Sequence, residues 1–145
     1  MSRMICGTLV GLVVSIVGGT GCSHRSASAS SVEAPAPSMP AHWKVISDFN
    51  AAAGQIKPIA EQLGGDIAAL RNTVYDVNGE RVQLNVIVAT DGANADKIMA
   101  SVRKMKSDIA LLRVGLTIYK FVGPNGVLPA IREGKAHLQK TLGES

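Results

Sequence analysis

Side chains able to do chemistry are few in this chain of 145 residues, and they do not cluster. Nucleophilic catalysis needs a Ser, Cys or Thr beside a base. Of the three histidines, His24 lies in a Ser/Ala stretch, which leaves His42 and His137 for a folded domain. There is no G-x-S-x-G, and His137 falls on an amphipathic helical pattern where a surface role accounts for it. Zinc needs three or four His, Cys or carboxylate ligands at fixed spacing, which two isolated histidines do not supply. Asp66, Asp76, Glu80, Asp96 and Asp108 fall at element ends and turns, so no carboxylate pair stands ready for acid–base work. Asp91-Gly-Ala-Asn-Ala-Asp96 clusters oxygens but lacks the order and distant Glu of a calcium loop; a helix cap explains it. Gly64-Gly65 lacks the lysine of a phosphate cradle. The expectation is a protein that is not an enzyme, with no catalytic residue, no metal and no cofactor.

The remaining reactive residues are Cys6 and Cys22, with none after position 22. A folded domain beyond them has neither a disulfide framework nor a cysteine metal site, and must stand on burial and hydrogen bonding. Around them, Arg3 opens a basic start, Ile5 to Val17 is apolar, and Gly18-Gly19-Thr20-Gly21-Cys22 closes with small residues. About 13 apolar residues suit the core of an export signal and fall short of the ~20 that span a bilayer. The segment resembles the signal peptide of bacterial lipoproteins, with Gly21 and Cys22 at its most informative positions and Gly19 where Leu is usual. That resemblance implies removal of residues 1–21 and lipidation of Cys22, which would become the new N-terminus. Several acyl chains would hold such a protein firmly on a membrane, each buried methylene contributing roughly 0.8 kcal/mol. Two other readings stay open: cleavage at Ala27-Ser28-Ala29, releasing a soluble protein, and an uncleaved anchor. Ser23, not Asp, after the cysteine favours the outer membrane where an organism sorts lipoproteins that way.

Residues 22–41 continue as Ser, Ala and Pro with almost no large apolar side chain, which predicts a disordered tether. The folded domain is expected over residues 42–145. The formal charge of the chain after residue 21 is low: loss of residues 1–21 removes only Arg3 and leaves 14 of the 15 Lys and Arg against 11 Asp and Glu. A nucleic-acid binder of this size would carry a denser, one-sided basic patch, so no nucleic acid is expected.

Aromatics make up only 3%, so the core must rest on Val, Ile, Leu, Met and Ala. Trp43 to Phe49 alternates as a first strand, with a helix starting near Ser47 as the alternative. A short helix follows over about 56–63, ended by Gly64-Gly65. Residues 67–77 and 80–90 flank Asn78-Gly79, the strongest short hairpin signal. A two-residue loop puts Asp76 opposite Arg81 and Asn72 opposite Asn85. A helix over about 95–106, a long strand over 110–122 and a last helix over about 127–142 complete the pattern.

The order β-α-β-β-α-β plus a C-terminal helix predicts an α+β fold of ferredoxin-like type, its antiparallel sheet covered by helices on one face. Such a fold hosts unrelated functions and does not argue for one. Its open sheet face would present Lys44, Arg81, Gln83, Asn85, Arg113, Thr117 and Tyr119. We take Lys44, Arg81, Asn85, Arg113 and Tyr119 as the candidate binding face, suited to an envelope protein or an anionic polymer. The strand from Ile109 to Phe121 would be an edge, open to homodimer formation. The functional expectation is an exported lipoprotein of the cell envelope, held on a membrane through Cys22, whose small domain binds a partner or shapes an assembly. The alternative is a small-molecule or polysaccharide-binding module using the open sheet face.

Overall fold

The computed structural model describes residues 32–105 and 110–143. The predicted signal segment, Cys22 and the Ala27-Ser28-Ala29 site lie outside the described residues. In chain order the elements are β1 (Lys44–Asn50), α1 (Ala53–Leu63), β2 (Ile67–Val77), β3 (Glu80–Ala89), α2 (Gly92–Met105), β4 (Leu111–Val114), β5 (Thr117–Val122) and α3 (Leu128–Leu142). The chain is therefore α+β, as predicted, and Trp43–Phe49 resolves toward strand. The five strands form one antiparallel sheet in the order β1-β2-β3-β5-β4.

The ferredoxin-like arrangement does not hold, for two reasons. First, the predicted long strand over 110–122 is a hairpin: Val114 pairs with Thr117 around Gly115-Leu116. Gly115 has φ 59°, the positive value that a two-residue turn of II′ type needs at its first central position. The sheet gains a fifth strand, and β5 lies inside it while β4 takes the edge. Second, β1 pairs antiparallel with β2, its neighbour in sequence, so no split βαβ unit forms.

The helices also cover both faces, not one. Residues opposite each other in a register share a face, so the pairings sort every strand position. One face carries Tyr75, Val77, Val82, Leu84, Val86, Tyr119 and Phe121, packed with Ile131 and Leu138 of α3. The other carries Leu70, Ile87, Ala89, Leu111 and Ile118 beneath Leu63 of α1 and Ala95, Ile98, Met99 and Val102 of α2.

Local signals explain where the helices begin and end. Gln55 Oε1 accepts the Ala52 backbone N–H at 2.9 Å ahead of α1, and Gly64 closes that helix at φ 72°. Pro58 sits inside α1. The Asp91 carboxylate accepts the Asn94 N–H at 2.8 Å, so the oxygen cluster acts as the cap of α2. The Asn78-Gly79 turn shows φ 56° and 86°, and Asp76 pairs with Arg81 as its loop length requires.

Residues 32–40, expected to be tether, carry no regular element and lie on the α3 face. Ala34 is 1% exposed, Met39 packs on the same core, and Arg71 Nη1 donates to the Ala34 carbonyl at 3.3 Å. Arg71 Nε also donates to Asp48 Oδ1 at 2.8 Å, and the Thr73 hydroxyl donates to that oxygen at 2.8 Å. These bonds, the Arg71 one above all, hold the Asp48 carboxyl below its usual range, outweighing burial. A group whose folded pKa is depressed stabilises the fold above its unfolded value, near 3.8, and loses that contribution as pH falls through the folded value. Urea midpoints followed from pH 5 downward should therefore fall less steeply for Asp48→Asn than for the wild type. Equal slopes would remove Asp48 from the acid response.

Candidate functional site

On the α1/α2 face the helical layer stops partway along the strands. Beyond it no helix among the described residues covers the sheet, and successive rows can be read straight across it. The row nearest the helices joins Phe49 to Asn72, Asn72 to Asn85 and Asn85 to Lys120. The next joins Ser47, Val74, Gln83 and Val122, and the outermost joins Lys44, Asp76 and Arg81. At ~4.8 Å between strands, the first row is about 14 Å long.

The carboxamides of this surface are bonded to one another. Asn85 Oδ1 accepts from Asn72 Nδ2 at 2.5 Å and from Gln83 Nε2 at 3.0 Å. With that oxygen doubly used, Asn85 retains its NH₂ for the open side, while Asn72 and Gln83 retain carbonyl oxygens. The surface thus offers acceptors and donors interleaved over a few ångströms.

Two adjoining hollows lie along the flank of α1. One, of about 320 Å³, is lined by Phe49, Ala51, Gln55, Ile59, Leu70, Asn72, Gln83 and Asn85. The other, of about 190 Å³, is lined by Ile59, Gln62, Leu63, Leu70, Asn85, Ile87, Met105 and Lys120. They share Ile59, Leu70 and Asn85, so together they form a trough with an aliphatic wall and a carboxamide floor. Among the described residues, no carboxylate lines either one.

Of the predicted binding face, Lys44, Arg81 and Asn85 do share this open surface. Arg113 is on the same side of the sheet but is turned to α2, pairing with Asp96 and donating to the Gly115 carbonyl at 3.0 Å. Tyr119 is corrected outright. It faces α3 and is 3% exposed, because the hidden turn at Gly115 reverses the parity of β5. Burial pushes its phenol, and that of Tyr75, above the ordinary range. Thr117 shares that opposite side, opposite Val88. Asn72, Lys120 and the Phe49 ring join the site without having been singled out by sequence. Asn72 is readable from the hairpin register; Lys120 is not, since its face depends on that same turn.

Among the described residues, no group of three or more His, Cys, Asp or Glu could hold a metal ion. His42 Nε2 stands 3.2 Å from Glu133 in an exposed pair. Nor is any helix among them long and apolar enough to cross a membrane.

Fold and site together define the class: a three-layer α+β domain whose central antiparallel sheet keeps one half-face open beside a shallow trough. Comparison with protein-family models, with curated proteins and with solved structures finds no match for this chain.

Proposed function

We propose that this chain is an exported, lipid-anchored protein of the cell envelope whose small domain is a non-enzymatic binding or assembly module. The single observation that carries the binding half is the open half-face, where Asn72, Gln83 and Asn85 face outward beside an aliphatic trough. Water already solvates an ordinary sheet face; here the amides flank a hollow, a combination suited to contact with a partner. The anchoring half rests on the basic start, apolar run and small-residue end of residues 1–22. A lipid on Cys22 would concentrate the domain at a membrane surface, the outer one where sorting follows residue 23, and the partner would be an envelope protein or polymer within reach. Two sheet edges, β1 and β4, offer a route to a homodimer by strand addition. The second reading, a small-molecule or polysaccharide-binding module, uses the same half-face and is favoured by the hollow of about 320 Å³, within the size range of ligand sites.

The anchor is tested by intact mass of the protein extracted from the membrane fraction, wild type against Cys22→Ser. The expected result is a chain starting at Cys22 and carrying acyl mass, absent from the variant. An unmodified chain starting near Ser30, or one retaining Met1, would overturn the anchor.

A further inference from the structure

We infer that Asn125 is a self-acting modification site, losing ammonia to the backbone of Gly126, while the second Asn–Gly pair, Asn78-Gly79, is held back by Asp76. The inference stands apart from the open half-face and from the anchor. Both pairs are exposed, and they are the two places in the chain where glycine follows asparagine. The chemistry is a ring closure. The backbone nitrogen of the glycine attacks Cγ of the asparagine, the Cγ–Nδ2 bond breaks, and the glycine's amide proton leaves with Nδ2 as ammonia. Water then opens the five-membered imide at either carbonyl, giving Asp or its β-linked isomer with no change in oxidation state. Glycine favours the attack because no Cβ crowds its nitrogen.

Conformation separates the two pairs. Closure needs the glycine nitrogen swung round to the Cβ side of the asparagine, at strongly negative ψ. Asn78 sits at φ 56° and Gly79 at 86°, a mirror-image turn whose first central residue has ψ of about +30°. Asn125 lies in a single 3₁₀ turn, Asn125–Val127, where ψ is about −25° and closure is nearer. The nitrogens differ too. Gly79 N–H donates to Asp76 Oδ1 at 2.9 Å, which ties down the nucleophile and the turn together. Gly126 is in the first turn of its helix, where N–H groups have no acceptor within the helix. The products bear on α3. The Asp product puts a carboxylate just ahead of that helix, whose first turn carries none. The β-linked product lengthens the main chain beside Val127, which is 2% exposed and crowds Gly123.

The test incubates the mature full-length chain in mildly alkaline buffer and digests samples at intervals. Mass spectrometry then follows the gain of one mass unit in the peptide spanning each pair. The expected result is conversion at Asn125 about tenfold or more faster than at Asn78. In concentrated urea neither turn survives, and the two rates should converge. Gly126→Ala should slow conversion at Asn125 about tenfold or more. That variant keeps the fold, because its Cβ would meet nothing within 4 Å among the described residues. Asp76→Ala should speed conversion at Asn78 about tenfold and leave Asn125 unchanged, with circular dichroism checking that the sheet is intact. Asp76→Asn, which retains an acceptor oxygen, should fall between the wild type and Ala. Equal rates in the folded chain, or faster conversion at Asn78, would overturn the inference. So would a difference that persists in urea, an Asn125 that does not convert, or an Asn78 rate indifferent to both Asp76 variants.

Discussion

Trp43→Ala should be among the most destabilising single substitutions in this protein, costing about 3–5 kcal/mol, the usual range for truncating a buried aromatic. Aromatics are scarce, and three of them meet here. Trp43 is 5% exposed, edge-to-face with Tyr75 at 5.4 Å between ring centroids and with Phe121 at 6.3 Å. The indole lies between the sheet and α3, so removing it opens a cavity and drops both ring pairs at once. Against a typical total of ~5–15 kcal/mol, this would leave a marginal fold. The melting temperature should fall by roughly 12 °C or more. Trp43→Phe separates volume from polarity. The Trp43 Nε1 is buried without a hydrogen-bond partner among the described residues, and Phe deletes that donor while keeping part of the ring. The Phe variant should therefore lose less than half of what Ala loses. Because Trp43 is the single tryptophan, unfolding in urea must be followed by circular dichroism. A loss below ~1 kcal/mol for Ala would mean that this corner is not where the core is anchored.

The two hairpins separate what is legible in the chain from what is not. Asn78-Gly79 stands between two alternating runs, and only a residue tolerant of positive φ fits each turn position, so register follows from chemistry. That is why Asn72 opposite Asn85, the centre of the candidate site, can be read from turn type and alternation alone. Gly115-Leu116 gives no comparable signal. It lies inside the apolar run ALLRVGLTIYKFV, with no Asn, Asp or Pro, and the alternation of Leu112, Val114, Leu116 and Ile118 passes through it undisturbed. A two-residue reversal within an alternating run moves every later side chain to the other face. Tyr119 points inward and Lys120 outward for that reason alone.

Cover on both faces does leave a trace. Ile87 and Ala89 put apolar side chains on the side that Arg81, Gln83 and Asn85 keep polar. A strand that is amphipathic at one end and apolar on both faces at the other passes beneath a helix partway along. The α1/α2 layer sits over that end, and the trough opens where it stops. The candidate site is thus a boundary between two regimes of one strand, visible in β3 once its alternation is seen to fail.

Gly134 should reverse the usual sign of a glycine-to-alanine change in a helix. Replacing a mid-helix glycine by alanine ordinarily stabilises by about 0.5–1 kcal/mol through backbone entropy and propensity. In α3, however, a Cβ at Gly134 would stand 2.6 Å from Trp43 Cη2 and 2.9 Å from Met39 Cε. Met39 can swing its terminal methyl away. The indole cannot follow, being held between Tyr75 and Phe121. Relief must come from α3 shifting off the sheet, and overpacking of this kind costs ~1–3 kcal/mol, more than the propensity gain. Gly134→Ala should therefore destabilise, and Gly134→Val should do so severely, adding two further carbons against the same ring. Gly54→Ala in α1 is the internal control, since nothing lies within 4 Å of its would-be Cβ. It should raise the urea midpoint slightly while Gly134→Ala lowers it. In the Trp43→Ala background the slot is vacant, so Gly134→Ala should change sign and become neutral or stabilising. That non-additivity is the sharper reading, because it requires the two residues to touch. If the two substitutions simply add, the packing of Trp43 into the groove of α3 is wrong, and with it the path of residues 32–41 over that face.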